Sequence, residues 1–361
     1  MKGKMLIVGV ILALVVSVLP MAAACGPEEP LINGEEPPPT NGEEPPPPAD
    51  QIVWTFATCS GGSPWHWGFV PDPIFQTMLE EMTGGRLILD TKIDLIPSAE
   101  LIMGVIDGRV DIGTQRLPWC SGTFPQFDFG SLPFYFMDVM EYYETVTDPD
   151  MIELLDREYE AVGLVRIAEI AAGPENGIWG SKPVANIEDF EGLKIRTSGV
   201  LQTNTLMALG AAPLTMPLAE LSDAIYRGTV DAVATSPGFG LGRGLADVCD
   251  YISIWPVTSN FPCALVVNKD KFYDLPSDLQ EIVREWGRMI TRANVYGQQC
   301  HYITARYAIV SAGVNVVVPD RAEIEKARAL SQSSIDKWLE LTGPVGEEIL
   351  AIAARHASGG Q

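Results

Sequence analysis

The most constraining feature of this sequence is a segment that occurs twice, 120 residues apart. PSAELIMGVIDGRVD at 97–111 aligns without a gap with PLAELSDAIYRGTVD at 217–231, and seven of the fifteen positions are identical. In each copy a helix is predicted after the proline, and Gly108 or Gly228 falls where a left-handed helix end is expected. The residues that follow, 109–113 and 229–233, are predicted to form short buried strands. The repeat therefore predicts two related lobes.

Strands and helices alternate around both copies. In the first half, 52–58 is predicted as a strand, 73–82 as a helix and 86–94 as a strand, while NIEDFEGLKIRT and TNTLMALGAAPLTMP each combine a helix with a strand in the second half. Such alternation is typical of parallel sheets. We therefore predict an α/β fold of two parallel-rich lobes with a ligand cleft between the lobes.

In open parallel sheets, ligands bind beyond the carboxyl ends of the strands. Arginine, aromatic and small polar residues follow the predicted strands at this edge. Arginine suits an anion there because its planar group of donors matches a carboxylate. The predicted ligand-contacting residues are Trp65, His66, Arg116, Trp119, Arg196, Thr235, Ser236 and Phe239. For Arg116, an ion pair between the lobes is predicted as readily as contact with the ligand.

The first 50 residues are predicted to be a targeting region outside the fold. Lys2 and Lys4 precede an apolar run and three alanines, which is the pattern of a signal peptide over 1–24. Cys25 is then a candidate for lipidation, which would anchor the protein to a membrane. An uncleaved anchor is the alternative. Residues 25–50 contain NGEEPPP twice and are predicted to be an extended linker.

The charge of the chain limits the classes of partner. The formal net charge is −23, and without the first 50 residues, which hold two lysines and seven acids, it is −18. Such an acidic chain is a poor partner for nucleic acid or anionic lipid. An anion would need a local group of arginines.

Motifs for catalysis or for a cofactor are absent from the sequence, which contains no HExxH, no GxSxG and no zinc-type Cys/His spacing. We therefore predict no catalytic residues, no metal site and no cofactor. Five cysteines follow Cys25. Two disulfides are considered, Cys59 with Cys120 and Cys249 with Cys263, and the alternative is that these cysteines are buried free thiols.

Six segments carry a resemblance to a known family: GLKIRTSG, LGAAPLTMPLAEL, RGTVDAV, AELIMGVIDGRVDIG, SLPFYF and ALVVNKDKFYDLPSDLQEIV. Together they resemble the solute-binding proteins of TRAP (tripartite ATP-independent periplasmic) transporters, the DctP-like family. The resemblance implies a bilobal fold like that of periplasmic binding proteins. It also implies an extracytoplasmic protein, in the periplasm or on the outer face of the cell membrane, that binds a small organic acid and delivers it to a membrane permease. It also implies that Arg196 pairs with the ligand carboxylate.

The sequence departs from the family where many members carry a second arginine. The corresponding stretch, AAGPENGIWGSKP, has no basic residue before Lys182, and Glu175 or Asn176 takes that place. We include Asn176 among the predicted contacts and expect a mono-acid ligand. The expected domain covers 51–361, with lobe I at about 51–172 and 260–302 and lobe II at about 173–259 and 303–361.

Two other functions are alternatives to a transporter-coupled binding protein. An exported enzyme on a similar frame would need a nucleophile or paired acids in the cleft, and a ligand sensor would differ only in its partner. The sequence leaves open the ligand, a metal ion that assists binding, and the oligomeric state.

Overall fold

The computed structural model describes residues 50–58, 73–171, 173, 177–216 and 220–358. The eleven strands of these ranges form two mixed sheets. They are β1 Ile52–Thr58, β2 Leu87–Ile93, β3 Ile112–Arg116, β4 Leu164–Ala171, β5 Gly177–Gly180, β6 Lys194–Thr197, β7 Ala212–Thr215, β8 Ala232–Thr235, β9 Tyr251–Ile254, β10 Pro262–Asn268 and β11 Asn315–Val317.

Helices cover the faces of both sheets. The α-helices are α1 Pro73–Met82, α2 Leu101–Ile106, α3 Val139–Thr147, α4 Pro149–Ala161, α5 Val200–Ala208, α6 Leu221–Tyr226, α7 Pro237–Gly242, α8 Lys269–Tyr273, α9 Ser277–Ser311, α10 Arg321–Thr342 and α11 Pro344–Ala353. Short 3₁₀ helices lie at Leu117–Trp119, Pro125–Ser131, Ile187–Phe190 and Leu245–Asp247. No helix of the described ranges combines the length and the apolar character that crossing a membrane requires.

The first sheet has the order β2-β1-β3-β10-β4, and the second has the order β11-β9-β5-β8-β6-β7. Strand β1 pairs in parallel with β2 and β3, while β10 runs antiparallel to β3 and β4. In the second sheet β6 pairs in parallel with β7 and β8. Two apolar clusters pack against each sheet, as expected when helices cover both faces. The predicted bilobal, parallel-rich α/β fold is confirmed.

The two copies of the repeat have the same structure. Helices α2 and α6 occupy equivalent positions, and Gly108 and Gly228 follow them with φ values of +70° and +69°, which glycine adopts without strain. The Asp111 carboxylate accepts a hydrogen bond from the Thr55 amide at 2.8 Å. Asp231 accepts the equivalent bond from the Lys194 amide at 3.0 Å. Each aspartate thus ties the start of its strand to the neighbouring parallel strand.

The strands of the repeat begin three residues later than predicted, at Ile112 and Ala232. The amides of Arg109 and Val110 donate back to the Gly104 carbonyl, and those of Thr229 and Val230 donate to the carbonyl of Ala224. The residues after each glycine therefore complete the helix end before the strand starts.

The C-terminal helices connect the two lobes. Trp286 and Ile290 of α9 pack in the core of the first lobe, and Ile309, near the end of the same helix, packs in the second. Trp338 of α10 and Ile352 of α11 pack in a core of the first lobe. Ala327, in the same helix as Trp338, packs in a core of the second lobe, so the helices of 303–361, which were predicted to belong to lobe II, contact both lobes. The exact lobe boundaries stay a prediction.

Four of the cysteines lie in the described ranges, and no disulfide joins any two of them. Cys249 and Cys263 are buried in the cores of different lobes, so the considered pairing between them is wrong. Burial raises the pKa of the Cys249 thiol to about 12. Cys120 is also a buried thiol, and Cys59, its considered partner, lies outside the described residues.

Candidate functional site

The candidate site lies where the order of strands reverses in each sheet. Strand β1 lies between β2 and β3, and β6 lies between β7 and β8, so in each lobe the connections leave the central strand in opposite directions. Such a reversal opens a crevice at the carboxyl ends of the strands. Strands β3, β6 and β8 bring predicted contact residues to these two crevices.

Arg116 is the last residue of β3 and is only 5% exposed. Its guanidinium carbon lies 4.8 Å from the centre of the Trp119 ring and 5.9 Å from that of Phe261, the residue before β10. The two rings meet edge to face at 5.9 Å. A third ring, Phe239 of the second lobe, lies 6.0 Å from the same guanidinium. Arg116 is thus a buried cation among aromatic rings of both lobes.

Arg196 occupies the equivalent edge of the second lobe. It is the third residue of β6, is 4% exposed, and pairs in register with Leu214 of β7 and Val233 of β8. Its place beside the end of β8 suits an anion that enters from the crevice.

The end of β8 continues directly into helix α7. Thr235 is the last residue of the strand and is fully buried. The Ser236 hydroxyl accepts a hydrogen bond from the Phe239 amide at 3.2 Å and caps the helix. The Phe239 ring then lies between Arg116 and Arg243, whose guanidinium carbon is 5.1 Å from the ring centre. The turn at Ser236 therefore fixes the position of an aromatic wall.

The two lobes touch at Pro118 and Gly199. A methyl group added at Gly199, the residue before helix α5, would lie 2.9 Å from the Pro118 Cβ and 3.1 Å from the Pro118 carbonyl oxygen. Pro118 belongs to the 3₁₀ helix that follows Arg116, and Gly199 follows β6. Arg116 and Arg196 are therefore carried on segments that meet in this structure.

Sequence reasoning missed three residues next to this cleft. Phe261 contacts Arg116, and the aromatic residue in SNFPC just before a strongly apolar strand was a signal for it. His301 of α9 packs against Gly238 of α7, next to Phe239, and burial lowers its pKa. Asn260 is fully buried, and within the described ranges neither atom of its side-chain amide has a hydrogen-bond partner. Only the folded chain brings the last two to this region.

Several predicted site residues lie outside the described residues. These are Trp65, His66, Asn176 and the lipidation candidate Cys25. Of the predicted contacts that the structure describes, Arg116, Trp119 and Phe239 come together in one cluster, and Arg196, Thr235 and Ser236 lie at neighbouring strand ends. No group of three or more His, Cys, Asp or Glu residues in the described ranges could hold a metal ion.

Comparison with known proteins gives a matching family model and several relatives. The model of the DctP family, described as bacterial extracellular solute-binding protein, family 7, matches residues 59–341. YiiZ of Salmonella typhimurium, an uncharacterised protein, is 31% identical over 42% of this chain and 48% of its own length. The 2,3-diketo-L-gulonate-binding periplasmic protein YiaO of Escherichia coli is 27% identical over 57% of this chain and 63% of its own length. These matches thus span about half to two thirds of the two relatives.

A solved structure shares the fold over a longer range. DctP7 of Bordetella pertussis, an extracytoplasmic solute receptor binding pyroglutamic acid, superposes with a TM-score of 0.76 at 21% identity. The superposition covers 84% of this chain and 99% of DctP7. With a family model that spans most of its folded region, the chain belongs to the DctP family of bacterial extracellular solute-binding proteins, the solute-binding proteins of TRAP transporters.

Proposed function

We propose that this protein is an extracytoplasmic receptor that captures a small organic anion between its lobes and delivers it to a TRAP-type permease. The observation that carries the proposal is the pair of buried arginines, Arg116 and Arg196, at the strand ends of two lobes that meet at Pro118 and Gly199. Two buried cations, one of them among aromatic rings, make a site that favours a carboxylate with an apolar body.

Arg196 is our choice for the residue that holds the ligand carboxylate. It is the arginine that matches the family motif, and a guanidinium can pair with both oxygens of a carboxylate at once. The Arg116 guanidinium lies among three rings, so its role is to complete the cationic wall or to bind a second polar group of the ligand. Trp119, Thr235, Ser236 and Phe239 form the remaining wall in this proposal.

The relatives agree with an acidic ligand. YiaO is named for binding 2,3-diketo-L-gulonate, and DctP7 for binding pyroglutamic acid. Both ligands are acids that carry further polar groups. We extend only this shared chemistry to the present chain, and Asn260 is a candidate for the additional polar contact because its amide is buried without a partner in the described ranges.

Export and anchoring complete the proposal. We propose cleavage after residue 24, lipidation of Cys25, and a linker over 25–50 that holds the binding domain away from the membrane. Cys25→Ser is then expected to release the protein into the soluble extracytoplasmic fraction. Membrane fractionation with mass spectrometry of the N-terminus tests this, and an unmodified N-terminus elsewhere in the parent protein would contradict it.

A thermal-shift screen tests the ligand class. Each acid is paired with its neutral counterpart, for example pyroglutamate with 2-pyrrolidone and benzoate with benzamide. A ligand present at 100 times its dissociation constant stabilises the folded protein by about 2.7 kcal/mol. We expect stabilisation by an acid and none by its neutral counterpart. Equal stabilisation by a neutral counterpart would exclude the carboxylate as the recognised group.

A further inference from the structure

A second concave site lies in the first lobe, away from the cleft. It has a volume of about 270 Å³ and is enclosed by α3, α4, β4 and α9. Its titratable lining consists of four arginines, one aspartate and one tyrosine, which are Arg166, Arg284, Arg288, Arg292, Asp156 and Tyr143. The arginines and the aspartate sum to a net charge of +3, in a chain whose net charge is −23. Four of the chain's 24 basic residues thus share one small pocket.

This pocket is separate from the cleft. Arg166 lies five residues before Ala171, which is at the same end of the sheet as Arg116, with β10 between their strands. At about 3.3 Å per residue, Arg166 is roughly 16 Å from that end. None of the predicted cleft residues lines the pocket.

The innermost arginine is held firmly in place. The Arg166 side chain is 9% exposed, and its Nε and a terminal nitrogen donate to one Asp156 oxygen at 3.1 and 3.0 Å. The β4 strand is irregular at this point, because Ile167 is an extra residue between the partners of Leu265 and Val266 on β10. Such bulges turn side chains in new directions and occur next to functional sites. The floor of the pocket is therefore a fixed cation.

The other three arginines lie along one face of α9. Arg284, Arg288 and Arg292 are spaced four residues apart, so they are neighbours on the helix surface, where like charges destabilise a helix. Arg288 pairs with Glu285 at 2.6 Å, and Arg284 lies over the Phe272 ring at 4.8 Å. No hydrogen bond or ion pair joins Arg292 to another residue of the described ranges. This face therefore holds more positive charge than its own neighbours neutralise.

We propose that this pocket, formed by Arg166, Arg284, Arg288 and Arg292, binds a small oxyanion with two or more negative charges, such as phosphate or a dicarboxylate. Guanidinium groups match the planar and tetrahedral oxygens of these anions, and several arginines together favour a multivalent anion over a monovalent one. The Tyr143, Thr147 and Thr291 side chains supply polar atoms to the same lining. The site is an accessory one within the first lobe, whereas the proposed cleft ligand binds between the lobes.

The test is a calorimetric titration of the purified full chain with inorganic phosphate, malonate and acetate at constant ionic strength. We expect saturable binding of one phosphate or one malonate per chain and no saturable binding of acetate. The variant Arg284→Gln/Arg292→Gln is expected to weaken this binding by about tenfold or more. Arg306→Gln/Arg321→Gln removes the same charge outside the pocket and is expected to leave binding unchanged.

Arg196→Ala separates this proposal from the proposed function, because it alters the cleft and leaves the pocket intact. Phosphate or malonate binding that survives Arg196→Ala supports the accessory site. Binding that is lost in Arg196→Ala, or that both double variants lose equally, would overturn it, and so would the absence of saturable binding by the parent. Circular dichroism confirms that each variant is folded before titration.

Discussion

The carboxyl group of Glu169 lies in the core of the first lobe, where water does not reach it. The residue is 1% exposed, and the Tyr142 hydroxyl donates to its Oε1 at 3.1 Å. Burial raises its pKa to about 8, and nearby Arg166 and the Tyr142 hydrogen bond offset part of this effect. Glu169 is therefore protonated in the folded protein at neutral pH.

This burial makes the stability of the fold depend on pH. In the unfolded chain Glu169 ionises near pH 4.5, whereas in the folded protein it keeps its proton up to about pH 8. The unfolded state then binds fewer protons between these values, so the free energy of unfolding falls as pH rises through this window. The total loss is on the order of 5 kcal/mol, since each unit of pKa difference corresponds to about 1.4 kcal/mol.

We predict that Glu169→Gln removes this loss, because an amide keeps the shape of the acid and does not ionise. Urea unfolding of both proteins should give similar stabilities near pH 5 and a growing advantage of the variant toward pH 8. Glu340→Gln, which removes an exposed carboxylate on α10, serves as the control. Parallel stability profiles of Glu169→Gln and the parent would show that Glu169 is ionised in the folded protein.

Single residues differed in how well the sequence predicted them. Arg116 and Phe239 could be placed at the cleft because each follows a strand of the repeat, and the register of a parallel sheet carries them there. His301 and Asn260 could not be placed at the cleft from the sequence. His301 lies in the second half of a 35-residue helix, and Asn260 lies in the loop between a strand of one sheet and a strand of the other. Their positions depend on how the lobes pack, which no local pattern encodes.

At the scale of elements, the 3₁₀ helix at Pro118 contacts the start of α5, where the two lobes meet. Gly199 has an extended φ of −162°, so any residue could adopt its backbone conformation. Its role is steric, because the atoms that a side chain would meet include the carbonyl oxygen and Cα of Pro118. Backbone atoms cannot move aside as the end of a flexible side chain does.

We predict that Gly199→Ala prevents full closure and weakens ligand binding by about tenfold, which corresponds to about 1.4 kcal/mol. The ligand is whichever acid emerges from the thermal-shift screen, and titration calorimetry measures the change. Gly122→Ala is the control, because a methyl group there meets nothing within 4 Å. If Gly199→Ala binds the acid as tightly as Gly122→Ala does, closure at this contact does not contribute to affinity.

Elements of the repeat were predictable because two copies specify the same helix, glycine and strand. Outside the repeat, the predicted strand at 52–58 and the predicted helix at 73–82 have the bounds that the structure gives. The C-terminal part could be assigned to a lobe less well, since α10 packs against both lobes and α11 against the first, and an amphipathic helix does not encode which sheet it packs against.

At the scale of the whole molecule, the sequence predicted two α/β lobes and a cleft at their strand ends, and the fold and family are confirmed. The arginine pocket was not predicted, because its residues come from β4 and from a helix more than 100 positions later. A long-range contact also ties α9 to the end of β4. The Asn294 amide of α9 donates to and accepts from the Ala171 backbone at 3.0 and 2.9 Å, where the chain leaves the first sheet.

Arg196 is proposed to hold the carboxylate of the ligand within the cleft between the lobes. Removing one partner of a buried charge pair costs about 2 to 5 kcal/mol, because the other charge stays buried and unpaired. Arg196→Ala should therefore weaken binding of the acid by roughly 30-fold to several thousand-fold. Arg196→Lys should restore only part of this loss, because an ammonium group lacks the planar pair of donors.

The most direct measurement is calorimetric titration of Arg196→Ala with the acid that stabilises the parent protein, beside Arg227→Ala as the control. Arg227 is an exposed arginine of the same lobe, 73% exposed at its side chain, and its removal should leave the affinity unchanged. We predict the loss of affinity given above for Arg196→Ala alone. Affinity equal to that of the parent in a folded Arg196→Ala protein would contradict the account and would make Arg116 the residue that binds the carboxylate.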